Sequence, residues 1–390
     1  MKILEVVHRF PPAVGGSEKV VYELSKELVK KGHAVTVLTT TSLHNNDTKG
    51  FSTGRPFSLR SATYKKKKEI LDGIKVIRTE PDFQFWTFAP NREMKRFLKK
   101  HIHEYGIIHV HGYQTYESAL VSKMATGYVH TAHDIISHYP GVFALMKSIY
   151  DRFIGRRILK NAGALIALTE ENKRQYVEIC DCSSKIHIIP NGITPFRQRP
   201  KDKGLMKKFG NPKNILLFVG RIVEYKGCQH TIRALPNILK EEPETIALFV
   251  GKDGGYAKTL QRIAREEGVE NQCFFTGAVE DLEKYLNLGD IFVFPSRGEG
   301  FGLAPVEAMS IGIPAVLADM GGLRYVLKDI GGYPINMEKD IEKQITDHVL
   351  SIIKHPPNKK EIVKKTQPYR WDTIAERTVE VFTSTTAKKK

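Results

Sequence analysis

What most constrains this chain is an alternation that occurs twice. Residues 3–7, 33–39, 74–78, 107–111, 128–132 and 165–169 are short apolar runs that read as strands, and the segments between them carry apolar residues at helical spacing. In the first such segment Val20, Val21, Leu24, Leu28 and Val29 mark a helix that Ser17 can cap and Gly32 can close. At HIIPNGI, residues 187–193, the pattern stops and the composition becomes charged and rich in breakers through Pro195, Pro200, Lys203 and Gly210, which predicts a linker. A second alternation follows, with strands at 215–219, 246–250, 273–276 and 291–294 and helices at 229–240, 256–267 and 282–288. Strands alternating with helices imply a parallel sheet covered on both faces, and 390 residues exceed one ordinary core. Two doubly wound α/β units are therefore expected, with ligands beyond the carboxyl ends of their strands in a common cleft. Helical patterns at 341–353 and 371–382 fit either unit, and residues 41–70 lack both periods and read as a functional or disordered loop.

Composition removes several classes. No apolar run approaches the length of a membrane span, and MKILEVVHRFPP meets proline before a signal-peptide core could form, so a soluble, cytoplasmic chain is expected. Cys180, Cys182, Cys228 and Cys273 form neither paired metal knuckles nor a disulfide framework. The formal charge of +17 attracts anionic partners, whether nucleic acid, an anionic membrane face or phosphorylated substrates. The lysines at 65–68 and 388–390 are its densest parts and are equally well read as solvated surface. Phe83, Phe85, Trp86 and Phe88 precede a helix that Asn91 can cap, with Met94, Phe97, Leu98 and Ile102 on one face and Arg92, Lys95, Arg96, Lys99 and Lys100 around it. That pattern suits peripheral contact with an anionic membrane, and equally a helix packed on the sheet with a basic outer face.

The candidate chemistry gathers at strand ends. PSRGEGFGLAPVEAM, residues 295–309, follows the strand at 291–294 and places Glu299 in a glycine loop and Glu307 about two turns into the next helix. Gly300 and Gly302 leave backbone N–H groups uncovered where the helix begins, suited to phosphate or sugar oxygens. After the strand at 215–219, Gly220, Arg221, Lys226 and Gly227 put two fixed cations around a turn, an arrangement suited to a diphosphate. In VHTAHD, His130 and His133 flank a strand end, and His133 is a candidate donor to an oxyanion or sugar hydroxyl; His111 is a weaker one. Gly15 and Gly16 stand at the first helix's entrance, but GxGxxG is absent, which argues against nicotinamide or flavin. No Asp-x-Asp occurs, so Arg221, Lys226 and helix N-termini, rather than a metal, are expected to neutralise phosphate, and no cofactor is required.

Taken in order, PPAVGGSEKVVYELSKELVKKGHAVTVLT, VHTAHD, PNGI, GRIVEYKG and EGFGLAPVEAM resemble the retaining, nucleotide-sugar-dependent glycosyltransferases of family 4, also called glycosyl transferases group 1. The resemblance implies the GT-B fold, two Rossmann-like domains facing a cleft: an acceptor-side domain of residues 1–195 with 370–390 returning to it, and a donor-binding domain of residues 196–369. By position it places Gly15 and Gly16 near the donor diphosphate, His133 at the donor sugar, and Arg221 and Lys226 on the diphosphate. Glu299 would hold sugar hydroxyls, Phe301, Gly302 and Leu303 would offer N–H groups, and Glu307 would take the ribose; Gly220, Gly277, Val279 and Gly300 complete the donor-binding set. Catalysis would rest with His133, Arg221, Lys226 and Glu299, with retention assisted by the leaving phosphate. Thr194 stands where the family often has aspartate after PNG-hydrophobic. The implied partners are a UDP- or GDP-linked sugar and a sugar or lipid-linked acceptor, at the cytoplasmic face of the membrane if the acceptor is a lipid. A non-catalytic basic protein of this fold that binds membrane or nucleic acid is the alternative, although no nucleic-acid module is present; an epimerase or phosphorylase reading is weaker.

Overall fold

A computed structural model of the chain describes residues 1–13, 15–43, 63–83, 88–133 and 142–387. The chain divides into two compact units, Met1–Gly192 with Trp371–Lys390, and Ile193–Arg370.

Unit 1 is built on eight strands: β1 (Lys2–Val6), β2 (Ala34–Thr40), β3 (Lys68–Leu71), β4 (Ile74–Thr79), β5 (Ile107–His111), β6 (Tyr128–Thr131), β7 (Ala162–Ala167) and β8 (Ile186–Ile188). Their order is β3-β4-β2-β1-β5-β6-β7-β8, parallel throughout except for β3, which runs antiparallel to β4. The direction of winding reverses between β1 and β5, so the loops after those two strands part and leave a crevice. Leu4, Val6, Leu38, Val110 and Leu165 form the centre of the core. Helix Trp371–Ala387 belongs to this unit: Glu376 pairs with Lys31 at 2.7 Å and Arg377 donates to the Ile188 carbonyl at 2.7 Å.

Two local expectations change here. Helix Gly16–Lys30 is capped by the extended Gly15 rather than by Ser17, whose hydroxyl donates to Glu18 at 2.9 Å instead. Helix Arg92–His101 is capped by Asn91 as its sequence predicts, Oδ1 accepting from the Met94 N–H at 2.8 Å, and its apolar residues Met94 and Leu98 are fully buried in the core. Packing on the unit therefore accounts for its amphipathic pattern. Phe85 and Trp86, and the lysines at 388–390, lie outside the described residues. Among the described residues no helix is long and apolar enough to cross a membrane.

Unit 2 carries six strands, β9 (Asn214–Val219), β10 (Thr245–Val250), β11 (Cys273–Gly277), β12 (Ile291–Phe294), β13 (Ala315–Ala318) and β14 (Tyr333–Ile335), in the order β11-β10-β9-β12-β13-β14. All neighbouring pairs are parallel. β9 and β10 are buried along their whole length, as strands covered on both faces by helices must be. The reversal here falls between β9 and β12, the strands that lead into the Arg221 turn and the Glu299 loop.

Candidate active site

In unit 2 the two loops at the reversal are fastened to each other. Lys226 ends a short 3-10 turn, Glu224–Lys226, and Gly227 follows at φ 78°, in the left-handed region, as the N-cap of helix Cys228–Glu241. A Cβ at Gly227 would lie 2.1 Å from the Pro295 carbonyl oxygen, so both its conformation and its closeness to the next loop call for glycine. The Arg297 N–H donates to the Tyr225 carbonyl at 2.8 Å across the same gap. This juncture brings Lys226 Nζ into an ion pair with Glu299 Oε1. The ammonium also stands 5.3 Å from the ring centres of Phe294 and Tyr225. Arg221 is exposed and its guanidinium donates to Tyr225 Oη at 3.2 Å. Two cations and one carboxylate thus share the rim, with Gly220 at the end of β9.

The glycine loop then turns into helix Leu303–Met309 through Gly302 at φ 100°. Among the described residues no protein acceptor takes the N–H groups of Gly300, Phe301, Gly302 or Leu303. The Phe301 ring is buried against Tyr369, which fixes the loop and leaves its backbone as the part turned to other uses. Glu307 lies one turn into the helix rather than two, because the helix starts only at Leu303, and it is buried. From the far side the Glu299 carbonyl accepts from the Gly322 N–H at 2.8 Å, at the start of helix Gly321–Asp329. That anchor has no counterpart in the sequence reading, although the paired glycines at 321 and 322 were a signal for it.

Gly277 is the last residue of β11 and Val279 lies just beyond it, and β10 and β9 separate that strand from β12. β11 and β12 are thus three strand spacings, about 14 Å, apart. Between them lies a turn that the sequence reading passed over: Asp253 accepts from the N–H groups of Gly255, Tyr256 and Ala257 at 2.7, 3.0 and 3.1 Å. Partial burial works to raise its carboxyl, but those donors hold it below its ordinary range.

Unit 1 has its own polar rim. Gly15 and Gly16 are exposed at the start of their helix. The space beside Gly15 holds the Glu18 carboxylate, which pairs with Arg9 at 2.9 Å. The larger construction is a row of buried groups on β1, β5 and the end of β6. Glu5 faces His109 in register, and two residues on His111 lies on the same side. Glu5 Oε2 is 2.6 Å from His111 Nε2 and 2.9 Å from His109 Nδ1. His111 Nδ1 is in turn 3.0 Å from His133 Nε2. His130 points elsewhere, 3.3 Å from the Gly112 carbonyl. Burial works to raise the Glu5 carboxyl, yet the rings of His109 and His111 hold it down at about 2. Burial, helped by His109, pushes His111 down to about 4, and burial keeps His133 well below the ordinary imidazole range. Among the described residues Glu5, His109 and His111 are the set whose donor atoms lie close enough to share a metal ion, within 4.8 Å. In this arrangement those atoms face each other, and the carboxylate is already met by an N–H. Glu5 and His109 were not singled out in the sequence; an acidic residue inside an otherwise apolar strand, opposite HVH, was the available signal.

Two family models match the chain: Glycosyltransferase Family 4 over residues 14–197 and Glycosyl transferases group 1 over residues 204–368. An uncharacterized glycosyltransferase of Methanocaldococcus jannaschii is 27% identical over 98% of this chain and 98% of its own. The GPI3 subunit of the Saccharomyces cerevisiae phosphatidylinositol N-acetylglucosaminyltransferase is 25% identical over 96% of this chain and 81% of its own. Among solved structures, an Anabaena protein crystallised with UDP and glucose superposes with a TM-score of 0.73 at 19% identity, covering 98% of this chain and 100% of the other. With both halves matched in order, the chain belongs to the group 1 glycosyltransferases of family 4, and its two Rossmann-like units are those of the GT-B fold.

Proposed function

We propose that the protein is a retaining glycosyltransferase that moves a sugar from a nucleoside diphosphate, UDP- or GDP-linked, to an acceptor hydroxyl on a sugar or lipid-linked sugar. The observation that carries this reading is the rim of unit 2, where Arg221, Lys226, Glu299 and four open backbone N–H groups occur at the reversal of the sheet. The bond from the anomeric carbon to the diphosphate breaks, the bond to the acceptor oxygen forms on the same face, and the acceptor proton passes to the leaving phosphate. Arg221 and Lys226 neutralise the charge that develops on that phosphate. Glu299, released from Lys226 as the phosphate takes its place, accepts from sugar hydroxyls. Two fixed cations supply the neutralisation that a divalent ion would otherwise give, so turnover should persist in excess chelator. Glu307, buried on the helix after the loop, is assigned to the ribose.

The test is a panel of UDP-, GDP- and ADP-sugars assayed for hydrolysis and transfer, with nucleotide binding followed by calorimetry. Arg221→Ala and Glu299→Ala are each expected to lower kcat/KM about 100-fold or more. A protein that turns over no donor, and whose nucleotide binding ignores both substitutions, is not such an enzyme.

A further inference from the structure

The histidine chain of unit 1 determines which nitrogen of His133 carries its proton. An ionised carboxylate only accepts, so the 2.6 Å contact to Glu5 requires the proton of His111 on Nε2. With that ring neutral, His111 Nδ1 is a lone pair, and the 3.0 Å contact requires His133 Nε2 to be the donor. The planes of the two rings differ by 18° with centres 5.1 Å apart, close to the contact distance plus two ring radii, so the contact runs near the plane of both rings as a hydrogen bond should. His133 Nδ1 is then a bare lone pair, buried and without a partner among the described residues. Its backbone, at φ 63°, sits in the left-handed region where a non-glycine residue is costly, which marks a side chain held in place for a reason.

We propose that Glu5 and His111 are positioning residues that lock His133 in the Nε2–H form, so that His133 presents an acceptor and takes a substrate hydroxyl rather than a phosphate oxygen. The low pKa of Glu5 and the depressed values of both rings agree with this proton placement, whereas the reverse one needs a protonated Glu5. The sequence expectation of a donor to an oxyanion or sugar hydroxyl is thereby replaced by an acceptor: a lone pair repels a phosphate oxygen and accepts from an O–H. The identity of the hydroxyl as a sugar's rests on the proposed transferase activity; the proton placement rests on the two contacts together with an ionised Glu5 and a neutral His111.

The experiment labels histidines with nitrogen-15 in the full-length protein and records long-range proton–nitrogen spectra at pH 7 without ligand. His133, assigned by the signals lost in His133→Gly, should be neutral with its proton on Nε2. His111→Phe keeps an aromatic ring but removes the acceptor, and should release His133 into a mixture of both forms; Glu5→Gln, which perturbs the chain one step earlier, serves if that variant does not fold. A proton on Nδ1 in the unaltered protein, or a His133 indifferent to both substitutions, overturns the proposal. With whichever UDP- or GDP-sugar is turned over, His133→Asn, whose amide oxygen can replace Nδ1 and which tolerates the left-handed backbone, should recover most of kcat/KM. His133→Gly and His133→Lys should lose about ten- to 100-fold. Rescue by lysine in preference to asparagine would mean a phosphate partner and refute the hydroxyl assignment. If no donor is turned over, the transferase reading fails while the spectra still decide the proton placement.

Discussion

Gly227 shows how much of the rim depends on a missing side chain. It adopts φ 78° and approaches the Pro295 carbonyl so closely that Gly227→Ala must both strain the turn and push the two loops apart. A loss of about 1–3 kcal/mol in unfolding free energy is expected, together with a fall in kcat/KM larger than stability explains, because Lys226 is the residue just before it. Denaturant titration and kinetics on the same preparation measure both. Buried titratable groups make a second residue-level expectation. Glu5 is depressed to about 2, and His111 and His130 to about 4 and 3 by burial of their rings. All three bind protons more readily when unfolded, so their stabilising contribution is complete above the unfolded histidine value, near pH 6.5. It is lost as pH falls, first through the histidines and then through Glu5. The denaturation midpoint should therefore drop steadily from pH 7 to pH 4. In a His130→Leu variant the drop should be shallower, by up to about 1.4 kcal/mol per pH unit.

At the scale of elements, helix Arg92–His101 offers a clean test. Asn91 caps it through Oδ1 and also donates from Nδ2 to Thr79 Oγ1 at 2.8 Å, tying the helix to β4. Asn91→Ala should cost about 1–2 kcal/mol, seen as a lower midpoint with an unchanged denaturant slope. This cap was legible in the sequence because asparagine precedes an apolar period, and strands β5 and β12 were legible to the residue because each is rich in Ile and Val or Phe between breakers, β5 carrying His109 and His111 as well. Strand β3 was not, since Lys68–Leu71 is two charged residues followed by two apolar ones, a short edge strand without the alternation that marks a strand. β13 and helix Gly321–Asp329 were missed because Ala315–Ala318 is short and small, and the helix opens on two glycines that read as a turn. For the candidate site, motifs disclosed the Arg221 and Glu299 loops. The partners of His133 come from strands far apart in sequence and meet only through register, which no local pattern states.

For the whole molecule, the formal charge of +17 implies that affinity for the proposed nucleotide donor weakens with salt, because rim cations and the general field would both attract its diphosphate. Calorimetric affinity for UDP or GDP should fall as sodium chloride is raised, and Arg221→Ala should flatten that dependence. The path of the chain has a further consequence. Unit 2 is one uninterrupted stretch, Ile193–Arg370, whose ends meet: the Ile193 N–H donates to the Tyr369 carbonyl at 2.7 Å, and Ile193 forms a parallel bridge with Arg370. Unit 1 is closed only when the polypeptide comes back, with Trp371 pressed against Gly192. Genetically, then, unit 2 is an insertion in a loop of unit 1: it could be cut out as a single cassette, exchanged for that of a relative, or produced alone, while unit 1 needs a short splice from Gly192 to Trp371 to stand by itself.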